Sequence, residues 1–203
     1  MGDIRTAGGD EIAEDDGPIG LALSGGGLKA ALFHVGVLAR LAELDLLRRI
    51  DVISATAGGA LTAALYYLHL KRALDEKGDI DSQRLVAMVA ALEGHVLDVV
   101  KADLGAKLFD NPFANLKRAS ARHSSAARLG DLLDHHAFRP LWSNDSKRPI
   151  EMRDLAIHPR GDKDFNPKSD NPKRYCKAPC LILNATDLAT AQSWRFDAER
   201  MGV

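Results

Sequence analysis

Ile50-Asp51-Val52-Ile53-Ser54-Ala55-Thr56-Ala57-Gly58-Gly59-Ala60 changes character within one short stretch. Ile50 to Ile53 is a β-branched run bounded like a buried strand. From Leu61 to Leu74 the apolar residues fall at helical spacing. A strand that breaks into a turn of tiny residues and enters a helix at once is the setting of a nucleophile elbow. Such a turn strains its central residue and brings strand and helix so close that the neighbours must be small. Ala55, Ala57, Gly58 and Gly59 meet that steric demand. The chemical demand is unmet, because Ala57 stands where the elbow wants a serine and has no oxygen to attack with.

Upstream, Ile19-Gly20-Leu21-Ala22-Leu23 reads as a strand running into Ser24-Gly25-Gly26-Gly27. Leu28, Ala31, Leu32, Val35, Leu38, Ala39, Ala42 and Leu46 then follow a helical stripe. Strand, glycine loop, helix and strand make a βαβ unit, whose two strands should be parallel and adjacent. Successive glycines can turn their N–H groups into one concavity, and the helix N-terminus adds partial positive charge. Gly25, Gly26 and Gly27 therefore form a candidate anion nest for a phosphate or the oxyanion of an acyl-transfer intermediate, with Lys29 as a nearby full charge. The same loop fits a dinucleotide fingerprint as Gly25-x-Gly27-x-x-Ala30. That reading needs an acid at the end of the second strand, and Asp51 stands at its start.

Composition bounds the rest. Hydrophobic residues make up 46% of 203, with 27 basic and 28 acidic side chains and a net charge of −1. These values fit one globular domain and give no global field toward nucleic acid. Residues 1–18 read as a disordered acidic lead-in and 19–203 as the domain. No run of ~18 apolar residues is present, so membrane contact would come from a local patch such as Leu108-Phe109 with Pro112-Phe113. The expected place is the cytoplasm, peripherally at a membrane if such a patch is used. Cys176 and Cys180 read as free thiols, since a Cys-x-x-x-Cys pair without a second pair makes no zinc site.

Further along, Leu85, Val86, Val89, Leu92 and Val96 form one apolar helical face. Asn111-Pro112 reads as a helix start, Leu129 to Phe138 as a short helix and Pro149 to Leu155 as a helical turn. Gly161 to Arg174 is rich in Asp, Asn, Pro and Lys and reads as a surface loop. Pro179 to Asn184 is a strand and Gln192 to Phe196 its antiparallel return. His135-His136 face different ways on a helix and hold no shared ligand.

Leu23-Ser24-Gly25-Gly26-Gly27-Leu28-Lys29-Ala30 with Asp51 to Ala60, together with Asn184-Ala185-Thr186-Asp187-Leu188, resembles the patatin-like phospholipases of bacterial type. The resemblance runs from about Ile19 onward. It implies a three-layer α/β/α fold with a mostly parallel central sheet, and a serine–aspartate dyad that hydrolyses acyl esters of lipids without cofactor or metal. The glycine loop of Gly25, Gly26, Gly27 and Lys29 would supply the oxyanion hole, and Ala55, Gly58 and Gly59 would flank the nucleophile position at Ala57. Two departures matter. Ala57 replaces the serine, and the Asp-Gly segment that would carry the base is missing, the only Asp-Gly pair being Asp16-Gly17. On this reading the domain is incomplete at its C-terminus, stopping before the dyad aspartate. Asp187 is a candidate substitute base, but an Asx-type turn residue at a strand end is the favoured reading. The expected function is that of a lipid acyl hydrolase, inactive as written. The alternatives are a pseudoenzyme that binds lipid or protein, and a dinucleotide-binding module.

Overall fold

A computed structural model describes residues 17–102, 125–142, 148, 150–187, 189–199 and 201–202. Most of the acidic lead-in, the Asn111-Pro112 helix start and the Leu108-Phe109 and Pro112-Phe113 patch lie outside the described residues. The fold is α/β. Strand β1 (Ile19–Leu23) leads through helix α1 (Gly27–Glu43) and a 3₁₀ turn (Leu47–Arg49) to β2 (Ile50–Thr56). Helix α2 (Ala57–Lys77) starts at the next residue, and α3 (Ser82–Lys101) follows a short turn. Later come α4 (Ser125–Leu133), a short helical turn α5 (Pro167–Asp170), and strands β3 (Cys180–Thr186), β4 (Ser193–Phe196) and β5 (Met201–Gly202).

The five strands lie in the order β1-β2-β3-β4-β5. β1, β2 and β3 are parallel, and β4 and β5 return antiparallel. The register lines up Leu21, Ile53 and Leu181 across the sheet, and behind them Leu23, Ala55 and Leu183. These side chains share one face, and α2 packs over it against all three parallel strands. Nearly the whole circumference of α2 is buried from Thr62 to Leu68, with Leu70 and Leu74 beyond. Each fully buried leucine there, Leu65, Leu70 and Leu74, stabilises the fold by about 1.5–3 kcal/mol. Helix α1 lies against both α2 and α3 and buries Ala31, His34, Val35, Leu38 and Ala42. Thr62 ties the pair together, its Oγ1 donating to the Ala31 carbonyl at 2.8 Å. On the opposite face of the sheet Gly20, Ala22 and Cys180 are exposed, and Val52, Ser54 and Ile182 are half-buried.

Helix ends follow local chemistry. Gly78 stops α2 at φ 85°, its N–H donating to the Leu74 carbonyl, and a Cβ there would lie 2.9 Å from the Arg160 carbonyl oxygen. Asp81 caps α3 by accepting from the Arg84 N–H at 2.8 Å. Within α3 the buried positions are Leu85, Val89, Leu92, Val96 and Val99. Val86, expected on that face, is instead 39% exposed, because it sits one residue beyond the core stripe. The helix expected over Leu129 to Phe138 is α4 continued by a π-helical turn, Asp134–Phe138. The turn expected over Pro149 to Leu155 is a 3₁₀ turn, Met152–Leu155, with Glu151 and Asp154 capping each other's backbone.

The stretch expected as a surface loop, Gly161 to Arg174, is more ordered than its composition suggests. It contains α5 and a 3₁₀ turn, Asn171–Lys173. Asn166 caps α5 through the Lys168 N–H at 3.0 Å. Asn171 is buried and bonds both polar groups of Ala178, donating to its carbonyl at 2.9 Å and accepting from its N–H at 2.8 Å. A buried asparagine so satisfied anchors the approach to β3. No helix among the described residues is long and apolar enough to cross a membrane.

Candidate active site

Thr56 ends β2 and Ala57 begins α2 with no residue between them. The reversal is absorbed by Ala57, whose φ is 46°. For a residue with a Cβ, left-handed backbone costs about 1–2 kcal/mol. The crowding around the turn accounts for its glycines. A Cβ on Gly58 would lie 2.0 Å from the Gly27 carbonyl oxygen. One on Gly59 would lie 2.5 Å from the carbonyl oxygen of Leu23 and 2.6 Å from that of Ser24. Backbone atoms cannot give way at those distances, so the start of α2 admits glycine alone at both positions, Gly58 against the start of α1 and Gly59 against the end of β1.

The nest is built against the same turn. Gly26 and Gly27 have φ of 145° and 65°, and a Cβ on Gly26 would lie 3.0 Å from the Cβ of Ala30. The added Cβ of a residue at Gly25 would lie 3.2 Å from the Ala57 Cβ and 3.6 Å from the Thr56 Cγ2. Gly25 is thus in van der Waals reach of position 57. Lys29 is exposed in the first turn of α1. The structure brings together Gly25, Gly26, Gly27, Ala55, Ala57, Gly58 and Gly59 at the C-terminal ends of β1 and β2.

Two polar side chains brace this arrangement. Asn184, near the end of β3, donates from Nδ2 to Ser54 Oγ at 2.9 Å and to the Ala55 carbonyl at 3.2 Å. The Thr56 hydroxyl returns a bond to the Asn184 carbonyl at 3.3 Å. On the other side His34 is buried with Nε2 at 3.0 Å from the Ser24 carbonyl oxygen. Beside the turn, Ser24, Ser54, Thr56, Asn184, Thr186 and Ser193 line an open cleft of about 380 Å³. The bracing roles of His34 and Asn184 went unread in the sequence. His34 shares the stripe of Ala31, Val35 and Leu38, which signals burial but not its contact.

Asp187 holds its own turn. Its carboxylate accepts from the Ala189 N–H at 2.8 Å and the Thr190 hydroxyl at 2.9 Å, and its N–H donates to the Gln192 carbonyl. These bonds, the Ala189 N–H first, hold the carboxyl below its usual range. The geometry is that of an Asx turn. Both cysteines are free thiols. Burial pushes the Cys176 thiol up to about 12 and raises that of Cys180, which leaves neither poised to react. His135 and His136, expected to face different ways, instead meet ring edge to ring face at 4.8 Å, in the π-helical turn Asp134–Phe138; no cluster of metal ligands occurs among the described residues.

A glycine nest beside a left-handed strand-to-helix turn, on the ends of adjacent parallel strands, is the arrangement of α/β acyl hydrolases. The family model described as patatin-like phospholipase matches residues 21–191, and the chain belongs to that family. Over 55 residues it is 51% identical to triacylglycerol lipase 4 of Saccharomyces cerevisiae. That stretch is 27% of this chain and 6% of the yeast protein, so the chain matches only a small part of that relative. No solved structure matches the chain.

Proposed function

We propose that this is the site of a lipid acyl hydrolase kept in shape without its nucleophile, and that the chain as it stands turns over no ester. In the serine form, the oxygen at position 57 would attack the ester carbonyl carbon while a carboxylate takes its proton. The carbonyl oxygen would gain its negative charge beside Gly25, Gly26 and Gly27, whose N–H groups stabilise it with the positive end of α1. The carbonyl would re-form as the alcohol leaves, and water would release the acid. Ala57 removes the first step. The single observation carrying this reading is the left-handed Ala57 packed against Gly25.

Lipid as the substrate class is supported by the family and by the outer surface of α1. Leu28, Leu32 and Phe33, just past the nest, are 49%, 38% and 68% exposed. Binding without turnover is a second reading. It is favoured by the same exposed Leu28, Leu32 and Phe33, which need no nucleophile to hold an acyl chain. The test is hydrolysis of short-chain p-nitrophenyl esters by three proteins: the chain, Ala57→Ser, and Ala57→Ser carrying an added segment with Asp-Gly-Gly. The expected result is no turnover, slow turnover and enzyme-like turnover, in that order. Removing one member of a catalytic unit forfeits most of its effect, so the single substitution should restore little. No turnover from the folded third protein would shift the weight to binding alone.

A further inference from the structure

We infer that His34 is a positioning residue for the oxyanion nest: by donating from Nε2 to the Ser24 carbonyl it aims the Gly25 N–H at the space beside position 57. The inference rests on the acyl-hydrolase reading for its catalytic consequence, though not for its geometry.

His34 sits on the buried stripe of α1, at 4% exposure. Its Nε2 lies 3.0 Å from the Ser24 carbonyl oxygen and 3.4 Å from Ser24 Oγ. Its Nδ1 is enclosed and has no hydrogen-bond partner. At first sight this is a serine next to a histidine base. The proton count says otherwise. A carbonyl oxygen only accepts, so the nitrogen facing it at 3.0 Å carries the hydrogen. The other tautomer would set two lone pairs against each other and bury an Nδ1–H with no acceptor. With its proton on Nε2, His34 cannot take one from Ser24 Oγ through that nitrogen. Ser24 is therefore not an activated nucleophile standing in for position 57.

What the bond does follows from peptide planarity. The Ser24 C=O and the Gly25 N–H belong to one trans peptide and point in opposite directions. His34 draws the carbonyl into the α1–β1 junction, where it also rests beside Gly59, whose Cβ if present would lie 2.6 Å from it. The Gly25 N–H must then point away, and Gly25 is the nest glycine that would touch the Ala57 Cβ at 3.2 Å if it bore a Cβ of its own. Oxyanion stabilisation depends on donors already aimed before the charge develops. A peptide between glycine-rich neighbours has little of its own to hold that aim, and His34 supplies the hold.

The test uses the whole chain with His34→Leu and His34→Gln, the second of which keeps a side-chain N–H within reach of the same carbonyl. In nitrogen–proton correlation spectra the chain should show a proton on His34 Nε2. The Gly25 amide signal should move in His34→Leu and return near its original position in His34→Gln. Each variant is then combined with Ala57→Ser and the added Asp-Gly-Gly segment, so that a carboxylate can activate the serine, and treated with a fluorophosphonate. Capture at position 57 should slow on the order of 10–100-fold with His34→Leu and recover to within about threefold with His34→Gln. A proton on Nδ1, an unmoved Gly25 amide in His34→Leu, or a His34→Gln that behaves like His34→Leu while folded would overturn the inference. Absent capture in the folded Ala57→Ser protein with the added segment and His34 intact would sink the acyl-hydrolase reading instead, and the spectra would still decide the role of His34.

Discussion

The ends of β1 and β2 and the end of β3 come out on the same edge of the sheet, yet they obey different rules. At β1 and β2 the chain is fixed by exclusion. Backbone oxygens of Leu23, Ser24 and Gly27 fill the space that side chains at Gly58 and Gly59 would need. At β3 the chain leaves into an open turn where Asp187 satisfies its own backbone and Ala185, Ala189 and Thr190 are exposed. Both regions match stretches that resemble the family: the first has alanine at position 57, and the second has Asp187, whose carboxylate is engaged by its own turn. The comparison teaches that the shape of this site is enforced by packing and is independent of its chemistry. A mould that holds the fold together outlasts the loss of a reactive oxygen, whereas a surface turn only has to close.

Exclusion at the β1 and β2 ends is probed by one methyl group added at the crowded turn and one added in open space on β1. Gly58→Ala and Gly59→Ala should each destabilise the fold by about 3 kcal/mol or more, because the clash is with backbone. Gly20→Ala, where a Cβ would meet nothing within 4 Å, should stay within about 0.5 kcal/mol. Urea unfolding followed by circular dichroism separates these outcomes. Equal midpoints for Gly59→Ala and Gly20→Ala would show that α2 does not lie as close to β1 as described. A smaller and opposite effect is expected at the turn itself. Ala57→Gly relieves the positive φ of 46° and should stabilise by about 1 kcal/mol, measured the same way. Destabilisation there would mean that the Ala57 methyl contributes packing that outweighs its strain.

The least pronounced effect lies away from both regions and serves as a control. His69 on α2 meets His95 on α3 edge-on, 5.8 Å between ring centroids. Burial first, then the neighbouring His95 and Arg72, lowers the His69 value from 6.5 to about 4. Burial lowers His95 as well, against the pull of Asp98 and of the His136 backbone. Between those pH values the unfolded chain binds a proton that the folded chain refuses. The stability tied to neutral His69 is therefore complete above pH 6.5 and drains away as pH falls toward 4. His69→Gln should flatten that part of the profile and leave the Gly25 to Gly27 amide signals in place. A profile unchanged by the substitution would remove His69 from the acid response.

Much of this was legible in the residues. Ile50 to Ile53 and Ile19 to Leu23 are strands because β-branched and apolar residues end in glycine or small residues that admit a helix at once. Gly58 and Gly59 were readable as a steric requirement, and the structure supplies the atoms they avoid. Val86 failed by one position because helical periodicity locates a stripe only to within a residue or so. Gly161 to Arg174 failed for a different reason. Asn and Pro read as loop from composition, and nothing local reveals that Asn171 is paired with Ala178. His34 and Asn184 are of the same kind: their partners, Ser24 and Ser54, lie on other elements, and pairings across elements leave no periodic trace.

The central claim, an intact mould around a missing nucleophile, is tested most directly by covalent capture. A fluorophosphonate forms a phosphorus–oxygen bond with a serine held beside an oxyanion nest and expels fluoride. The unmodified chain and Ala57→Ser carrying the added Asp-Gly-Gly segment are each incubated with it, and the adduct is located by mass spectrometry of peptides. No adduct is expected on the unmodified chain, and a single adduct at position 57 is expected in the completed variant, where a carboxylate can take the serine proton. An adduct at Ser24 or Ser54 in the unmodified chain, or a folded completed variant that remains unlabelled at position 57, would contradict the intact mould.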